Sequence, residues 1–185
     1  MAARAMGNFA LSRLRIVNPR DGWPNIAAKR AASGADQILE SAGLFDTVEQ
    51  AVADLSLLFA TTARAHDQAK PVVAPAEAAG EIAAHVKGGG NVGILFGRER
   101  WGLYNEEVAI CDAIVTLPVD AAFASPHIAQ AVSVMASESR RQAGPGPQAL
   151  FRERVAVPTP RAPRSVLLPP PRRPLARFGL PPLPP

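Results

Sequence analysis

Short aliphatic runs alternate along this chain with stretches patterned for helix, and no two-residue hairpin signal joins one run to the next. Leu14–Asn18 (LRIVN), Leu55–Ala63 (LSLLFATTA), Asn91–Phe96 (NVGILF) and Ala113–Val119 (AIVTLPV) are short apolar runs, the pattern of strands buried on both faces. Buried strands that do not turn back on their neighbours have to be joined by crossovers. The predicted fold is therefore α/β with a parallel sheet.

The intervening segments supply the crossovers. Ala2 to Phe9 holds good helix formers, and after the turn-rich NPRDGWPN a second helix is predicted from Ile26 to Ala32, ended near Gly34. Gln37 to Leu39 reads as a short strand. Thr47 and Gln50 have capping-box spacing for a helix with Val48, Ala51, Val52 and Leu55 on one face. Pro75 is placed to begin a helix through Val86, stopped by Gly88–Gly90, and a last helix is predicted from Ile128 to Met135. Ligands of parallel sheets bind beyond the carboxyl ends of the strands, which would gather loops 18–25, 61–67, 97–106 and 118–125. The chain opens in a helix where such a sheet leads with a strand, so a first strand is expected to be missing.

Composition divides the chain at one place. Residues 138–185 hold thirteen of the nineteen prolines and nine basic against two acidic residues, whereas residues 1–137 hold eleven basic against fourteen acidic. Runs such as PPPRRP and LPPLPP lack the backbone donors that helix and sheet require, so 138–185 is expected to be a disordered Pro/Arg-rich tail after one domain spanning 1–137. A single cysteine, Cys111, excludes an internal disulfide and a cysteine metal site and fits a reducing compartment, hence an expected cytoplasmic location. No run approaches the roughly 20 apolar residues of a membrane span, so no membrane association is expected.

FGRERWGL, Phe96 to Leu103, carries the strongest chemical signal. Gly97 and Gly102 would let backbone approach a ligand, and Glu99 lies between two arginines that would favour its ionised form. A strand-exit turn with solvated charges is the alternative on these residues alone. GGGNVG precedes a strand and lacks GxGxxG spacing, and no GxxxxGK[ST] occurs, which excludes the common nucleotide loops. His66, His85 and His127 are scattered without metal-ligand spacing, and no metal is expected. His85 reads as a helix-surface residue. Ser125 lacks a nucleophile elbow, and His127, two residues away, is badly spaced to serve as its base.

Four segments taken in order, AARAMGNFALSRLRIVNPRDGWPN, ATTAR, ILFGRERWGLYNEEV and AIVTLPVDAAFASPHIAQAV, resemble the SpoU branch of the SPOUT RNA methyltransferases, and within it the TrmJ-type tRNA ribose methyltransferases. The resemblance covers residues 1 to about 136. It implies a C-terminal trefoil knot in the α/β fold, a homodimer, S-adenosylmethionine bound in the knot largely by backbone groups, and methylation of a tRNA ribose 2′-hydroxyl, cytidine or uridine at position 32 of the anticodon loop. By the same resemblance Arg4 and Glu99 are the candidate catalytic residues, with Arg4 helping to deprotonate the 2′-hydroxyl. Arginine is a very weak base, so that role needs surrounding cations or desolvation; a solvated helix arginine is the alternative. Thr62, Ala63, Arg64, Gly97, Leu117, Ser125, Pro126 and His127 match positions that contact the cofactor.

Three departures bear on that assignment. The family's third motif usually reads Ser-Leu-Asn, and here Pro126 removes a backbone donor while His127 replaces an amide. Pro126 would still be tolerated in the first turn of the last helix. The strand and NxG turn that precede the family's first arginine are expected to be missing ahead of Met1, which would expose a hydrophobic sheet edge. Resemblance also stops after about Ser137, an ending expected of a truncated or frame-altered product. Two functions thus stand at this level: a tRNA 2′-O-methyltransferase, or an impaired or inactive truncated homologue that binds RNA or protein through its basic Pro-rich tail.

Overall fold

The computed structural model describes residues 1–20, 22–23, 25–63, 70–120, 122 and 126–144. The expected disordered tail lies outside the described residues apart from its first seven, 138–144, of which 138–142 are not disordered but continue the chain's last helix. A compact unit spans Met1–Pro147.

The chain opens in helix α1 (Ala2–Asn8), then alternates β1 (Arg15–Val17), α2 (Ile26–Ala32), α3 (Asp36–Glu40), β2 (Gly43–Phe45), α4 (Val48–Val52) and β3 (Leu57–Thr61). Its second half runs β4 (Val72–Val73), α5 (Pro75–Lys87), β5 (Val92–Phe96), α6 (Asn105–Ala109), β6 (Ala113–Val115) and α7 (Ile128–Gln142). Every described strand pairing is parallel, in a four-stranded sheet of order β4-β6-β3-β5 and a two-stranded sheet β1-β2. The α/β architecture predicted from the apolar runs is the one observed. β1, however, pairs with β2 alone among the described residues, so its exit loop belongs to a different sheet from the exits of β3, β5 and β6.

β3 shows why its sequence is apolar throughout. Leu58 and Ala60 face one cluster with Leu103, Val108, Cys111 and Ile114, while Phe59 faces the other with Val73, Ala78, Val115 and Met135. Two-residue periodicity thus sends alternate side chains into helical layers on both faces. A third cluster unites Ala3, Ala5 and Met6 of α1 with Ala32, Ala35, Ile38, Leu39 and Val132.

Several elements differ from expectation. Gln37–Leu39 is helical, not a strand: it lies within α3, where Ile38 and Leu39 are buried and the Ser41 amide and hydroxyl both donate to the Gln37 carbonyl. A short apolar run does not distinguish the two states, and here packing against α1 decides it. The Thr47 hydroxyl accepts from the Gln50 amide as the capping box predicts, but the Gln50 side chain accepts from the Asp46 amide, one residue ahead of the cap. β6 stops at Val115, short of the expected Val119, because Pro118 cannot donate and the Val119 amide turns back to the Leu117 carbonyl. α7 runs seven residues past Met135, its polar last turns carrying the Glu138–Arg141 ion pair.

Candidate functional site

Three strand exits meet in one cleft of about 550 Å³. Thr61 ends β3 and Thr62 and Ala63 follow it, Phe96 ends β5 and Gly97 to Arg100 and Gly102 follow it, and Leu117 and Val119 follow β6. The start of α7 closes it with Pro126, His127, Ile128 and Ala131. The exits are stitched together: the Thr61 hydroxyl donates to the Leu95 carbonyl (2.9 Å) and the Thr62 amide to that of Val115 (3.3 Å). Of the four loops expected to converge, three do. Among the described residues loop 18–25, which follows β1 of the separate sheet, contributes none of the lining.

The loop after β5 is a tight hairpin. Arg98 and Gly102 exchange backbone hydrogen bonds of 3.1 and 2.7 Å, and Gly102 has φ +68, a left-handed conformation that suits glycine. A β-carbon at Gly97 would lie 2.3 Å from the Gly102 carbonyl carbon and 2.5 Å from the Leu103 nitrogen. The bare backbone at Gly97 therefore serves first to let the hairpin close upon itself, while the residue still lines the cleft.

The charges of this loop are arranged differently from their order in sequence. Arg98 donates to both carboxylate oxygens of Glu107 (3.0 and 3.1 Å) and lies over the Tyr104 ring, and Arg100 lies over the Trp101 ring. Both flanking arginines thus have other partners. Glu99 instead faces His127, with Nδ1 3.8 Å from Oε1. Glu107, whose second role is to accept from the Tyr104 amide, anchors the loop to α6, a helix too short to give a periodic signal.

Of the predicted site residues, Thr62, Ala63, Gly97, Glu99, Leu117, Pro126 and His127 are brought together in the cleft, while Arg64 and Ser125 lie outside the described residues. Arg4 is not among the lining residues. It projects from α1, and its Nη1 donates to the Ser33 carbonyl at the α2–α3 turn (3.0 Å). Pro126 is not in the first helical turn as anticipated; His127 is the N-cap of α7 and Pro126 precedes it. The His127 amide donates to the Gln130 side chain (3.0 Å). Sequence reasoning missed Phe96, Ile128 and Ala131 as wall residues, since each looks like core. His85, read as a surface residue, is half-buried and shares a 2.7 Å hydrogen bond with the Ser56 hydroxyl just before β3, at the opposite end of that strand from the cleft. Among the described residues no group of three or more His, Cys, Asp or Glu could hold a metal ion, and no helix is long and apolar enough to cross a membrane.

Residues 1–137 match the SpoU rRNA Methylase family. A tRNA (cytidine/uridine/adenosine-2′-O-)-methyltransferase TrmJ of Pseudomonas aeruginosa is 40% identical over 139 residues, 75% of this chain and 54% of the relative. Among solved structures, TrmJ from Z. mobilis ZM4 has a TM-score of 0.72 at 49% identity, covering 79% of this chain and 64% of that one. A probable methyltransferase from Bordetella pertussis Tohama I has a TM-score of 0.70 at 36% identity, covering 77% and 86%. The chain spans about half the length of the curated relatives it matches. With its parallel sheet, its cleft at the strand exits and its match over residues 1–137, the chain belongs to the SpoU rRNA methylase family.

Proposed function

We propose that this chain is an S-adenosylmethionine-dependent methyltransferase domain acting on a ribose 2′-hydroxyl of tRNA, at cytidine or uridine 32 of the anticodon loop. The observation that carries the reading is the convergence of the β3, β5 and β6 exits on one cleft in a chain of this family. Its volume lies within the range of small-molecule sites, and its walls combine apolar Leu117, Val119 and Ile128 with glycine-bared backbone at 97, which suits an adenosyl-sized ligand. Thr62, Ala63, Arg64, Gly97, Leu117, Ser125, Pro126 and His127 would hold the cofactor. When bound, S-adenosylmethionine supplies an electrophilic methyl group on a sulfonium.

The chain's own groups would position the nucleophile. Glu99, on the cleft wall beside His127, and Arg4, which lies outside that wall, are proposed as the catalytic pair, with Arg4 meeting the ribose hydroxyl from outside the cofactor cleft. β6 lies between β3 and β4, and the chain after it returns through the cleft wall into α7, an arrangement that supports a trefoil knot in this region. A homodimer and a cytoplasmic location complete the reading. Radiolabelled methyl transfer to unmodified tRNA tests it: the full chain transfers label, Arg4→Ala does not, and tRNA with a 2′-deoxynucleotide at position 32 accepts none. An inert parent chain overturns the activity.

One observation favours a second reading. Pro126 has no amide hydrogen and that of His127 is taken by Gln130, so two backbone donors at the cleft rim are withdrawn from a ligand. A chain thereby deprived of cofactor would act as an RNA-binding module through its basic tail. Steeply salt-dependent RNA binding that survives Arg4→Ala and disappears on deletion of residues 145–185 would mark that case.

A further inference from the structure

The hairpin at the cleft rim exposes two aromatic rings that neither the core nor the cleft uses. Trp101 is 53% exposed and Tyr104 51% exposed, although the segment holding them is closed by hydrogen bonds and an ion pair. The Arg98–Gly102 hydrogen bonds close the hairpin, its backbone packs against Gly97 more closely than a β-carbon would allow, and Glu107 grips Arg98 and the Tyr104 amide together. Rings held open to solvent on a fixed backbone are pre-organised for contact.

Each ring also carries a guanidinium. Arg100 Cζ lies 4.8 Å from the Trp101 centroid and Arg98 Cζ 4.6 Å from that of Tyr104. Arg98 is neutralised by Glu107, but among the described residues no carboxylate pairs with Arg100, which itself lines the cleft. Aromatic faces interleaved with arginine, one of them unneutralised, match the chemistry of an unpaired nucleobase and its phosphate: the base stacks and the cation meets the backbone. The same rings and cations could serve a protein partner, but the RNA-directed reading of the adjoining cleft favours a nucleobase.

We propose that Trp101 and Tyr104 form a stacking platform for an unpaired base flanking the ribose held at the cleft, with Arg100 facing the adjoining phosphate. The proposal rests on the RNA-directed reading of the cleft above. It assigns to the tip of the hairpin a positioning role in substrate binding, separate from the cofactor-facing role of Gly97 at its base.

The test uses the full chain and a fluorescein-labelled anticodon stem-loop, with a fully paired RNA of the same length as control. Trp101→Ala and Tyr104→Ala are each expected to weaken stem-loop binding about fivefold to a hundredfold, the loss typical of one stacked base, with Trp101→Phe retaining most of the affinity. An abasic nucleotide at the stacked position should weaken the parent by a similar factor and leave Trp101→Ala unchanged, a coupling that a merely structural residue would not produce. Affinity for S-adenosylmethionine, measured by calorimetry, is expected to be equal in parent and variants, and KM for tRNA to rise more than kcat falls. Unchanged stem-loop affinity in both alanine variants overturns the platform, as does equal weakening for paired RNA. A shift in sedimentation with RNA affinity intact would assign the rings to self-association and also overturn it. A parent that transfers methyl groups while the variants keep its KM sinks the platform alone; a parent that neither binds cofactor nor transfers sinks the enzymatic reading.

Discussion

At Gly97 a single methyl group decides whether the loop can close. In Gly97→Ala the new carbon would stand 2.3 Å from backbone that cannot swing aside as a side chain does, so the hairpin must open. The expected cost is about 1–3 kcal/mol by urea unfolding, with S-adenosylmethionine binding weakened by about tenfold or more. That a glycine was needed here is legible in FGRERWGL, but its cause is not, since nothing in the string says that Gly97 lies against Gly102. Cys111 is the reverse case, because its environment leaves no mark in the sequence. Burial pushes its thiol up to about 11, with Lys70 opposing the shift and Asp112 and Glu107 adding to it. The thiol therefore stays protonated below that pH and is shielded as well. Iodoacetamide at pH 8 is expected to label it only after denaturation; rapid labelling of the folded chain would contradict the placement.

Elements are tied to one another by groups far apart in sequence. Arg15 on β1 forms a forked pair with Asp54, just after α4, and also donates to the Ala51 carbonyl, fastening the two-stranded sheet to the entrance of β3. The Arg15 hydrogen bonds hold the Asp54 carboxyl below its ordinary value. The folded state then binds fewer protons than the unfolded one between the two pKa values, so the contribution is full above about pH 4 and is lost as pH falls through the lowered value. Asp54→Asn is accordingly expected to lower the urea midpoint at pH 7, with the difference from the parent shrinking as pH falls below about 4; equal midpoints at pH 7 would deny the tie any role. Long apolar runs made β3 and β5 legible. β4, with two residues between Pro71 and Ala74, and α6, with five, are shorter than any period that could announce them. α3 was misread for a related reason: Gln37–Leu39 is apolar enough for either state, and its burial against α1 is a tertiary fact.

For the whole molecule, parallel topology followed from the absence of hairpins, and topology alone brings the exits of β3, β5 and β6 together. Seven of the ten residues matched by resemblance fall in the cleft so formed, each at or just beyond a strand exit or at the start of α7. Arg4 stands apart from it. It sits on α1, which packs against α2, α3 and α7, so its distance from the cleft is set by helix packing that no motif encodes. This cleft, despite Pro126 and His127, is expected to take S-adenosylmethionine. Calorimetric titration of the full chain decides it: saturable binding at one site per chain, weakened in Gly97→Ala, is expected, whereas a folded chain that gives no saturable heat would refute it.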